Sequence, residues 1–291
     1  MLNGTTTISR PLEGKLAIVT GGSRGIGAAI ATHLASKGAS LLLGFTASSS
    51  ATITANLCQK LSSTHNIRCE SVQADLSKPE EGAAIIVEAA KKLFSANGSL
   101  TINILINNAG IGGNYNVGSI PADAFHAQYA VNVLAPLMLT QTCLPYLPHD
   151  RSGRIVNLSS VSSSLGFAGQ TIYGGTKAAL EAMTRTWSRE LAERATVNAV
   201  NPGPVEGDMY YAAGEGFWKQ MESWQVNTPL SAIRDSVDEE GLVKLSKEKM
   251  GGRRPAYASE VAGVVGMLCL EDSAWCTGSV VCGNGGFRFG T

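Results

Sequence analysis

Tyr173 and Lys177 stand four residues apart, a spacing that places two side chains on one face of a helix, one turn apart. A phenol has a pKa near ~10 and is a poor acid–base catalyst at neutral pH. Because a cation one turn away favours the phenolate, we expect Lys177 to lower the pKa of Tyr173. Ser160, earlier in the chain, could hold a substrate oxygen against the same phenol. Together the three side chains would form an acid–base site at an oxygen atom.

Two predicted elements position these side chains. Residues 154–158 alternate and are β-branched, which predicts a short buried strand, and a Ser- and Gly-rich loop carrying Ser160 follows. A helix is predicted from residue 170 to about residue 193, and it carries Tyr173 and Lys177. Taken alone, Tyr-x-x-x-Lys more often marks a tyrosine at a helix start beside a solvated lysine. Motifs elsewhere in the sequence are therefore needed to choose between the two interpretations.

A glycine-rich turn at residues 21–27 lies between a predicted buried strand (15–20) and an alanine-rich helix that ends near Lys37. An apolar strand at 40–45 completes a β-α-β unit. A pyrophosphate must approach bare backbone N–H groups at a helix N-terminus, where side chains would block it. The turn therefore predicts a dinucleotide site, formed by Gly21, Ser23, Arg24, Gly25, Ile26 and Gly27.

The composition is typical of a compact globular protein: 291 residues, of which 44% are hydrophobic and 16% charged. Because the formal net charge is zero, we expect neither nucleic acid nor an anionic membrane as a partner. No apolar run reaches transmembrane length, and residues 1–15 lack the apolar core of a signal peptide, so a cytoplasmic location is expected. The cysteines and histidines lack metal-ligand spacing, and we expect no metal site.

Several short motifs follow one another along the chain. They are TGGSRGIG at 20–27, Asp75 after a strand, NNAG at 107–110, Asn132 within a helix, Ser160, Tyr173 with Lys177, and NPG at 201–203. In these motifs, from Lys15 to about Gly286, the chain resembles the short-chain dehydrogenase/reductase family. Within it, the chain looks most like fungal-type polyketide and hydroxynaphthalene ketoreductases and 3-oxoacyl-carrier-protein reductases.

The resemblance implies an α/β fold with a single Rossmann-type domain over residues 14–291. Its doubly wound parallel sheet should have about seven strands, with helices on both faces. Residues 1–13 are expected to form an N-terminal arm. Members of the family associate through two helices that match residues 121–147 and 170–193, so a homotetramer or homodimer is expected.

The resemblance also assigns catalytic roles. Tyr173 would give a proton to the developing alkoxide, and Ser160 would orient and stabilise that oxygen. Lys177 would lower the tyrosine pKa and hold the nicotinamide ribose. Asn132 would bind a water that links Lys177 to solvent. A simpler explanation is that Asn132 is satisfied by nearby backbone.

Further cofactor contacts are implied outside the glycine turn. They are Asp75, Leu76, Asn107, Ala109, Gly110, Pro202, Gly203 and Val205, together with Tyr173 and Lys177. Asp75 could instead cap the helix predicted to follow it. Gly207 stands where the family usually has a threonine that helps to hold the nicotinamide carboxamide, so this chain departs from the pattern there.

The choice of cofactor follows from charge. NAD-specific sites place a carboxylate at the end of the second strand, and here that end reads Gly-Phe-Thr-Ala-Ser, with no acid. A 2′-phosphate is therefore tolerated, and Arg24, Thr46 and Ser48 are candidates to bind it. We expect NADPH/NADP+ as the cofactor. The alternative is that Arg24 is a surface cation and Thr46 a turn residue.

Residues 208–256 form a long segment between a predicted strand and the next helix, and loops of that length are uncommon without a function. The segment contains Tyr210, Tyr211, Phe217, Trp218 and Trp224. We interpret it as a helical substrate lid whose aromatic side chains suit a flat or bulky apolar substrate. Alternatively, these aromatics only pack the lid onto the body.

The sequence thus predicts an NADPH-dependent carbonyl reductase acting on a small molecule. The expected substrate is a bulky apolar or aromatic ketone, polyketide- or terpenoid-like, in secondary metabolism. A redox-neutral isomerase, dehydratase or cyclase on the same fold is the main alternative, because fold does not fix function. A catalytically silent NADPH-binding protein is the third.

Overall fold

A computed structural model describes residues 10–289. The strands are β1 (Leu16–Thr20), β2 (Ser40–Phe45), β3 (Cys69–Gln73), β4 (Ile104–Asn107), β5 (Gly153–Leu158), β6 (Ala195–Val200) and β7 (Val280–Val281). The helices are α1 (Gly25–Ser36), α2 (Ala51–His65), α3 (Pro79–Phe94), α4 (Ala122–Tyr129), α5 (Ala135–Cys143), α6 (Ser162–Leu165), α7 (Thr171–Glu190), α8 (Asp208–Gln225), α9 (Glu240–Lys249) and α10 (Ala258–Leu268).

The seven strands form one parallel sheet in the order β3-β2-β1-β4-β5-β6-β7. The winding direction reverses between β1 and β4, and ligands of such sheets bind outside the carboxyl ends of the strands at this point. The glycine turn follows β1, the NNAG motif follows β4 and the Ser160 loop follows β5. The fold, a doubly wound Rossmann-type domain, is confirmed, and it brings the predicted motifs to one edge of the sheet.

The core lies in two layers, one on each face of the sheet. On β1, Ala17 and Val19 point into the layer shared with α1, α2 and α10. Leu16 and Ile18 point into the layer shared with α3, α5 and α7. Because both faces are covered, apolar residues of the central strands point to both sides, which is why β1 and β2 contain continuous apolar runs such as residues 16–19 and 41–43.

Some element boundaries differ from those predicted. The helix expected over 121–147 is interrupted by a π-helical stretch, Ala130–Leu134, and its α-helical part ends at Cys143. The last helix is capped by Tyr257, whose backbone N–H donates to the Glu260 carboxylate at 2.8 Å. These ends depend on local hydrogen bonds that hydrophobic periodicity does not register.

The folded body begins before residue 14. Leu12 is buried in the core, and its backbone N–H donates to the carbonyl of Lys37 at 2.9 Å. Residues 1–9 of the predicted arm lie outside the described residues, as do Gly290 and Thr291 of the C-terminal tail. Between residues 10 and 289, no helix has the length and apolarity that crossing a bilayer requires.

Residues 208–256 contain α8 and α9, which enclose a small hydrophobic core of their own. Tyr210 and Trp218 stack at 5.8 Å between ring centroids and pack with Met250. Gly207, directly before α8, has φ 142°, and Gly214 interrupts α8 with φ 72°. Both values favour glycine, because a side chain would be strained there.

Candidate active site

Tyr173 and Lys177 occupy the first turns of α7, which packs beside the end of β5. The ammonium nitrogen of Lys177 lies 5.6 Å from the ring centroid of Tyr173 and donates to the carbonyl of Leu158 at 2.7 Å. Ser160 lies two residues beyond β5, and its side chain is close enough to the Tyr173 hydroxyl to lower the pKa of that tyrosine. The structure therefore brings the three predicted residues together at one point.

The ionisation of this site differs from what the spacing alone predicts. Burial raises the pKa of Tyr173, and the nearby Ser160 hydroxyl opposes that shift only in part. Burial also lowers the pKa of Lys177 to about 8, against the attraction of the Glu181 carboxylate. In the protein alone, burial thus outweighs the expected lowering of the Tyr173 pKa by Lys177, whose ammonium donates to a backbone carbonyl. A protonated tyrosine is nevertheless the form that a proton donor requires.

Asn132 lies in the π-helical stretch and is 1% exposed. Its amide nitrogen donates to the Ile111 carbonyl at 2.8 Å and to the Thr176 hydroxyl at 3.1 Å. Its side-chain oxygen accepts from the Ile111 N–H at 2.9 Å. The side chain is thus satisfied by nearby backbone, as the simpler explanation predicted, and it fixes the loop after β4. A Cβ on Gly110 would lie 3.2 Å from the Asn132 oxygen, a tight contact, and 3.5 Å from the Lys177 nitrogen, so a side chain there would crowd Asn132.

The glycine turn is closely packed against the loop after β4. A Cβ on Gly27 would lie 2.1 Å from the carbonyl oxygen of Gly21, so no side chain fits there. The Thr20 hydroxyl accepts the backbone N–H groups of Asn108 and Ala109, each at 3.0 Å. The Asn108 amide donates to the carbonyls of Thr20 and Gly21. Thr20 and Asn108 therefore hold the two loops together, a role that the sequence analysis missed although both lie inside its motifs.

Asn107 occupies a different environment. Its amide nitrogen donates to the Asn157 side chain at 2.8 Å, and Asn157 in turn donates to Thr184 at 2.8 Å. This polar row is buried between β4, β5 and α7. The side chain of Asn107, predicted to bind cofactor, therefore supports the sheet rather than facing the glycine turn.

Arg24 lies at the start of α1, on the open side of the glycine turn. Its guanidinium donates to the Ser50 hydroxyl at 2.7 Å and forms an ion pair with Asp208 at 3.1 Å. The Thr46 hydroxyl donates to the Ala74 carbonyl, and the Ser48 hydroxyl accepts from the Gln73 amide at 3.0 Å. The end of β2 thus presents one cation and several hydroxyls, with Ser50 added to the predicted set.

Asp75 follows β3 and accepts the backbone N–H of Ser77 at 3.0 Å. Its hydrogen bonds with the Ser77 backbone and hydroxyl lower its pKa. The cap position of α3 is Lys78, so Asp75 shapes the turn before the helix rather than capping it. Leu76 is buried in the core, where it lines a small internal space with Thr20 and Ala109.

The NPG motif follows β6 and supports the active-site loop. The Pro202 carbonyl accepts the backbone N–H of Val161 at 3.0 Å. A Cβ on Gly203 would meet Asn284 and Phe287 at 3.5–3.6 Å. Val205 pairs with Ala256 in an isolated parallel bridge, which joins the two ends of the 208–256 segment.

The aromatic residues of 208–256 mostly pack against one another or against the body. Trp224 stacks on Phe287 at 6.2 Å and meets Phe167 edge-on at 5.6 Å. Tyr210 and Trp218 are buried in the segment's own core. This is the alternative left open by the sequence, and it applies to Tyr210 and Trp218, while Tyr211 and Trp224 keep 40% and 39% exposure.

Met209, in the first turn of α8, and Tyr173 both lie beside Gly112. A Cβ built on Gly112 would lie 3.7 Å from Tyr173 Cδ2 and 3.9 Å from Met209 Sδ. A side chain at position 112 would therefore contact both the Tyr173 ring and the first turn of α8.

Comparisons with known proteins agree with this geometry. Residues 15–216 match the model of the short chain dehydrogenase family. The chain is similar to the L-xylulose reductase of Aspergillus niger, with 61% identity covering 97% of this chain and 100% of that protein. It is 53% identical to the L-xylo-3-hexulose reductase of Hypocrea jecorina, covering 97% and 99%.

The fold is similar to the crystal structure of the angucycline C-6 ketoreductase LanV with bound NADP. The TM-score is 0.80 and the identity 29%, and the match covers 97% of this chain and 98% of that one. Motifs, sheet order and relatives lead to one conclusion: the chain belongs to the short-chain dehydrogenase/reductase family and is an oxidoreductase.

Proposed function

We propose that this chain is an NADPH-dependent reductase that converts the ketone of a small open-chain ketose into a secondary alcohol. The observation that carries the proposal is the assembly of Ser160, Tyr173 and Lys177 beside the glycine turn. The two similar fungal proteins named above are reductases of keto sugars, which supports the substrate class.

The glycine turn suits a phosphate-bearing cofactor. The N-terminus of α1 has no side-chain cap and no acidic residue in its first turn, so its backbone N–H groups are available to an anion. Arg24 and Ser50 would hold the 2′-phosphate, since no carboxylate stands at the end of β2. Asp75, Ala109 and the 202–205 turn would line the remaining length of the dinucleotide. NADPH, when bound, supplies the hydride.

The protein's own groups then control the oxygen of the ketone. Ser160 donates a hydrogen bond to that oxygen and orients it against the hydroxyl of Tyr173. As negative charge develops on the oxygen, Tyr173 transfers its proton to it, so one hydride and one proton together give the alcohol. Lys177 places a positive charge below the tyrosine and would hold the nicotinamide ribose. Asn132 keeps the loop after β4 in place around this centre.

A small polar substrate fits the surroundings better than the bulky aromatic substrate of secondary metabolism that the sequence suggested. Tyr210, Trp218 and Trp224 pack against protein groups. The loop after β5 instead offers the hydroxyls of Ser160 and Ser162, which are half-buried beside α7. Hydroxyl-rich surroundings match a polyhydroxy ketone because each buried hydroxyl of the substrate needs a partner.

We further propose that residues 208–256 act as a substrate lid, with Gly207 as its first hinge, and that the chain forms a dimer or tetramer. α4 carries the exposed Phe125, at 41% exposure, which supports burial of this face between copies. Sedimentation equilibrium of the purified chain tests the assembly: a monomer at micromolar concentration would contradict it.

Absorbance at 340 nm tests the proposed reaction. The purified protein is given NADPH with L-xylulose, with a six-carbon 3-ketose, or with a polycyclic aromatic ketone, and the products are identified by chromatography. We expect kcat/KM for a keto sugar to exceed that for the aromatic ketone by about ten-fold or more. The reverse order would favour the bulky substrate. A product formed without NADPH consumption would indicate redox-neutral chemistry.

A further inference from the structure

Glu181 is a buried carboxylate directly below the catalytic pair. Tyr173, Lys177 and Glu181 follow one another at four-residue spacing on α7, so they share one face of the helix. Glu181 is 9% exposed. A carboxylate in such a position is costly unless hydrogen bonds compensate for the lost water.

Two serine hydroxyls provide that compensation. The Ser159 hydroxyl donates to Oε1 of Glu181 at 2.6 Å, and the Ser163 hydroxyl donates to the same oxygen at 2.7 Å. Both distances are typical of charge-assisted hydrogen bonds. One oxygen on α7 therefore fastens the loop after β5 at two points.

These two points enclose Ser160. Ser159 precedes it, and the backbone N–H of Ser163 donates to the Ser160 carbonyl at 3.0 Å. The Ser160 hydroxyl accepts the backbone N–H of Ser162 at 3.2 Å. The position of the Ser160 side chain relative to Tyr173 therefore depends on a loop whose two sides are both held by Glu181.

We propose that Glu181 is a positioning residue, which holds the Ser160 hydroxyl in register with the Tyr173 hydroxyl by anchoring Ser159 and Ser163 to α7. This inference rests on the proposed ketone reduction for its kinetic consequence. Its structural consequence, an ordered 159–163 loop, does not depend on any substrate.

Two substitutions separate the effect of the Glu181 hydrogen-bond acceptor from the effect of the volume of its side chain. Glu181→Gln keeps an oxygen that can accept both hydroxyls, whereas Glu181→Leu keeps the approximate volume but removes the acceptor. Glu190→Leu, at the exposed end of the same helix, is the matched control. Ser163→Ala removes one of the two anchors and leaves Glu181 bonded to Ser159. This smaller change tests the anchoring even if Glu181→Leu fails to fold.

We expect Glu181→Leu to lower kcat by about 10- to 100-fold, since small misplacements of catalytic groups have effects of that size. The dissociation constant of NADPH should stay within about two-fold, because the cofactor turn is elsewhere. Glu181→Gln should recover most of the lost kcat, and Ser163→Ala should lie between Glu181→Leu and the wild type. Equal losses in the Gln and Leu variants would overturn the anchoring role.

Hydrogen exchange of residues 159–163 provides the substrate-independent measurement. Backbone amides in this loop should exchange at least about ten-fold faster in Glu181→Leu and in Ser163→Ala than in Glu190→Leu, because local opening becomes easier. Unchanged exchange rates in both Glu181→Leu and Ser163→Ala would overturn the inference. If the wild type reduced no keto sugar while the exchange result held, the proposed substrate would fail and the anchoring would stand.

Discussion

The preference for NADPH is expected to depend on Arg24, whose guanidinium lies at the open end of the glycine turn beside Ser50. Replacing Arg24 with alanine removes the cation that faces the expected position of the 2′-phosphate. NADH lacks this phosphate, so the change should weaken NADPH alone. The difference between the two cofactors is therefore the quantity to measure.

The size of the effect follows from the exposure of the side chain. A hydrogen bond to a charged group contributes about 1.5–3 kcal/mol. Because the Arg24 side chain is 54% exposed, solvent screening places it near the lower limit, which corresponds to about a ten-fold rise in KM for NADPH. Asp208 is paired with Arg24 at 3.1 Å and competes with the phosphate for it. Asp208→Asn should therefore lower KM for NADPH by about two- to five-fold, the range of an exposed ion pair.

Steady-state kinetics with both cofactors, at a saturating concentration of the keto substrate, provides the assay. Arg68→Ala is the control, since Arg68 forms a comparable exposed pair with Glu70 but lies away from the turn. We expect Arg24→Ala to raise KM for NADPH and leave KM for NADH unchanged. Equal changes for the two cofactors, or no change for either, would refute the placement of the 2′-phosphate at Arg24.

Three further predictions follow from the site and its supports. Tyr173→Phe should lower kcat by about 100-fold or more while NADPH binding is retained, because only the proton donor is lost. Stopped assays of product measure this rate, and a rate close to that of the wild type would show that another group donates the proton. The kcat/KM for reduction should fall above about pH 8. Burial lowers the pKa of Lys177 to about 8, so this residue loses its positive charge as the pH rises through that value. A kcat/KM that stays constant from pH 7 to 10 would contradict this. Arg254→Ala should lower the melting temperature by about 6–12 °C. The Arg254 side chain is 3% exposed and pairs with the buried Asp238 side chain at 3.1 Å, and loss of such a partner costs about 3 kcal/mol or more. A shift under 2 °C in calorimetry would contradict this and show that Asp238 finds another partner.

Features fixed by local pattern were predictable. The continuous apolar runs of β1 and β2 and the glycine requirement at Gly27 depend on neighbouring residues and on the two covered faces of the sheet. The assembly of Ser160, Tyr173 and Lys177 was predictable once the order of motifs was recognised. The spacing of the two residues on one helix face then carried over directly into three dimensions.

Features that depend on distant contacts were not predictable. The π-helical stretch at Asn132 accompanies its hydrogen bonds to Ile111, twenty-one residues earlier in the chain. The inward orientation of Tyr210 and Trp218 depends on Met250, at the far end of the same segment. The pKa of Tyr173 rises because its burial outweighs its contacts, and sequence spacing carries no information on burial depth.

The small core shared by Tyr210, Trp218 and Met250 has an evolutionary consequence. A segment with a core of its own, which begins after Gly207, can accumulate substitutions around Tyr210, Trp218 and Met250 with little effect on the nucleotide-binding half. Selection for a new sugar or a new ketone would then act on this insert as a separable module. Grafting residues 208–256 between relatives should accordingly transfer substrate preference while leaving the coenzyme requirement of the recipient intact.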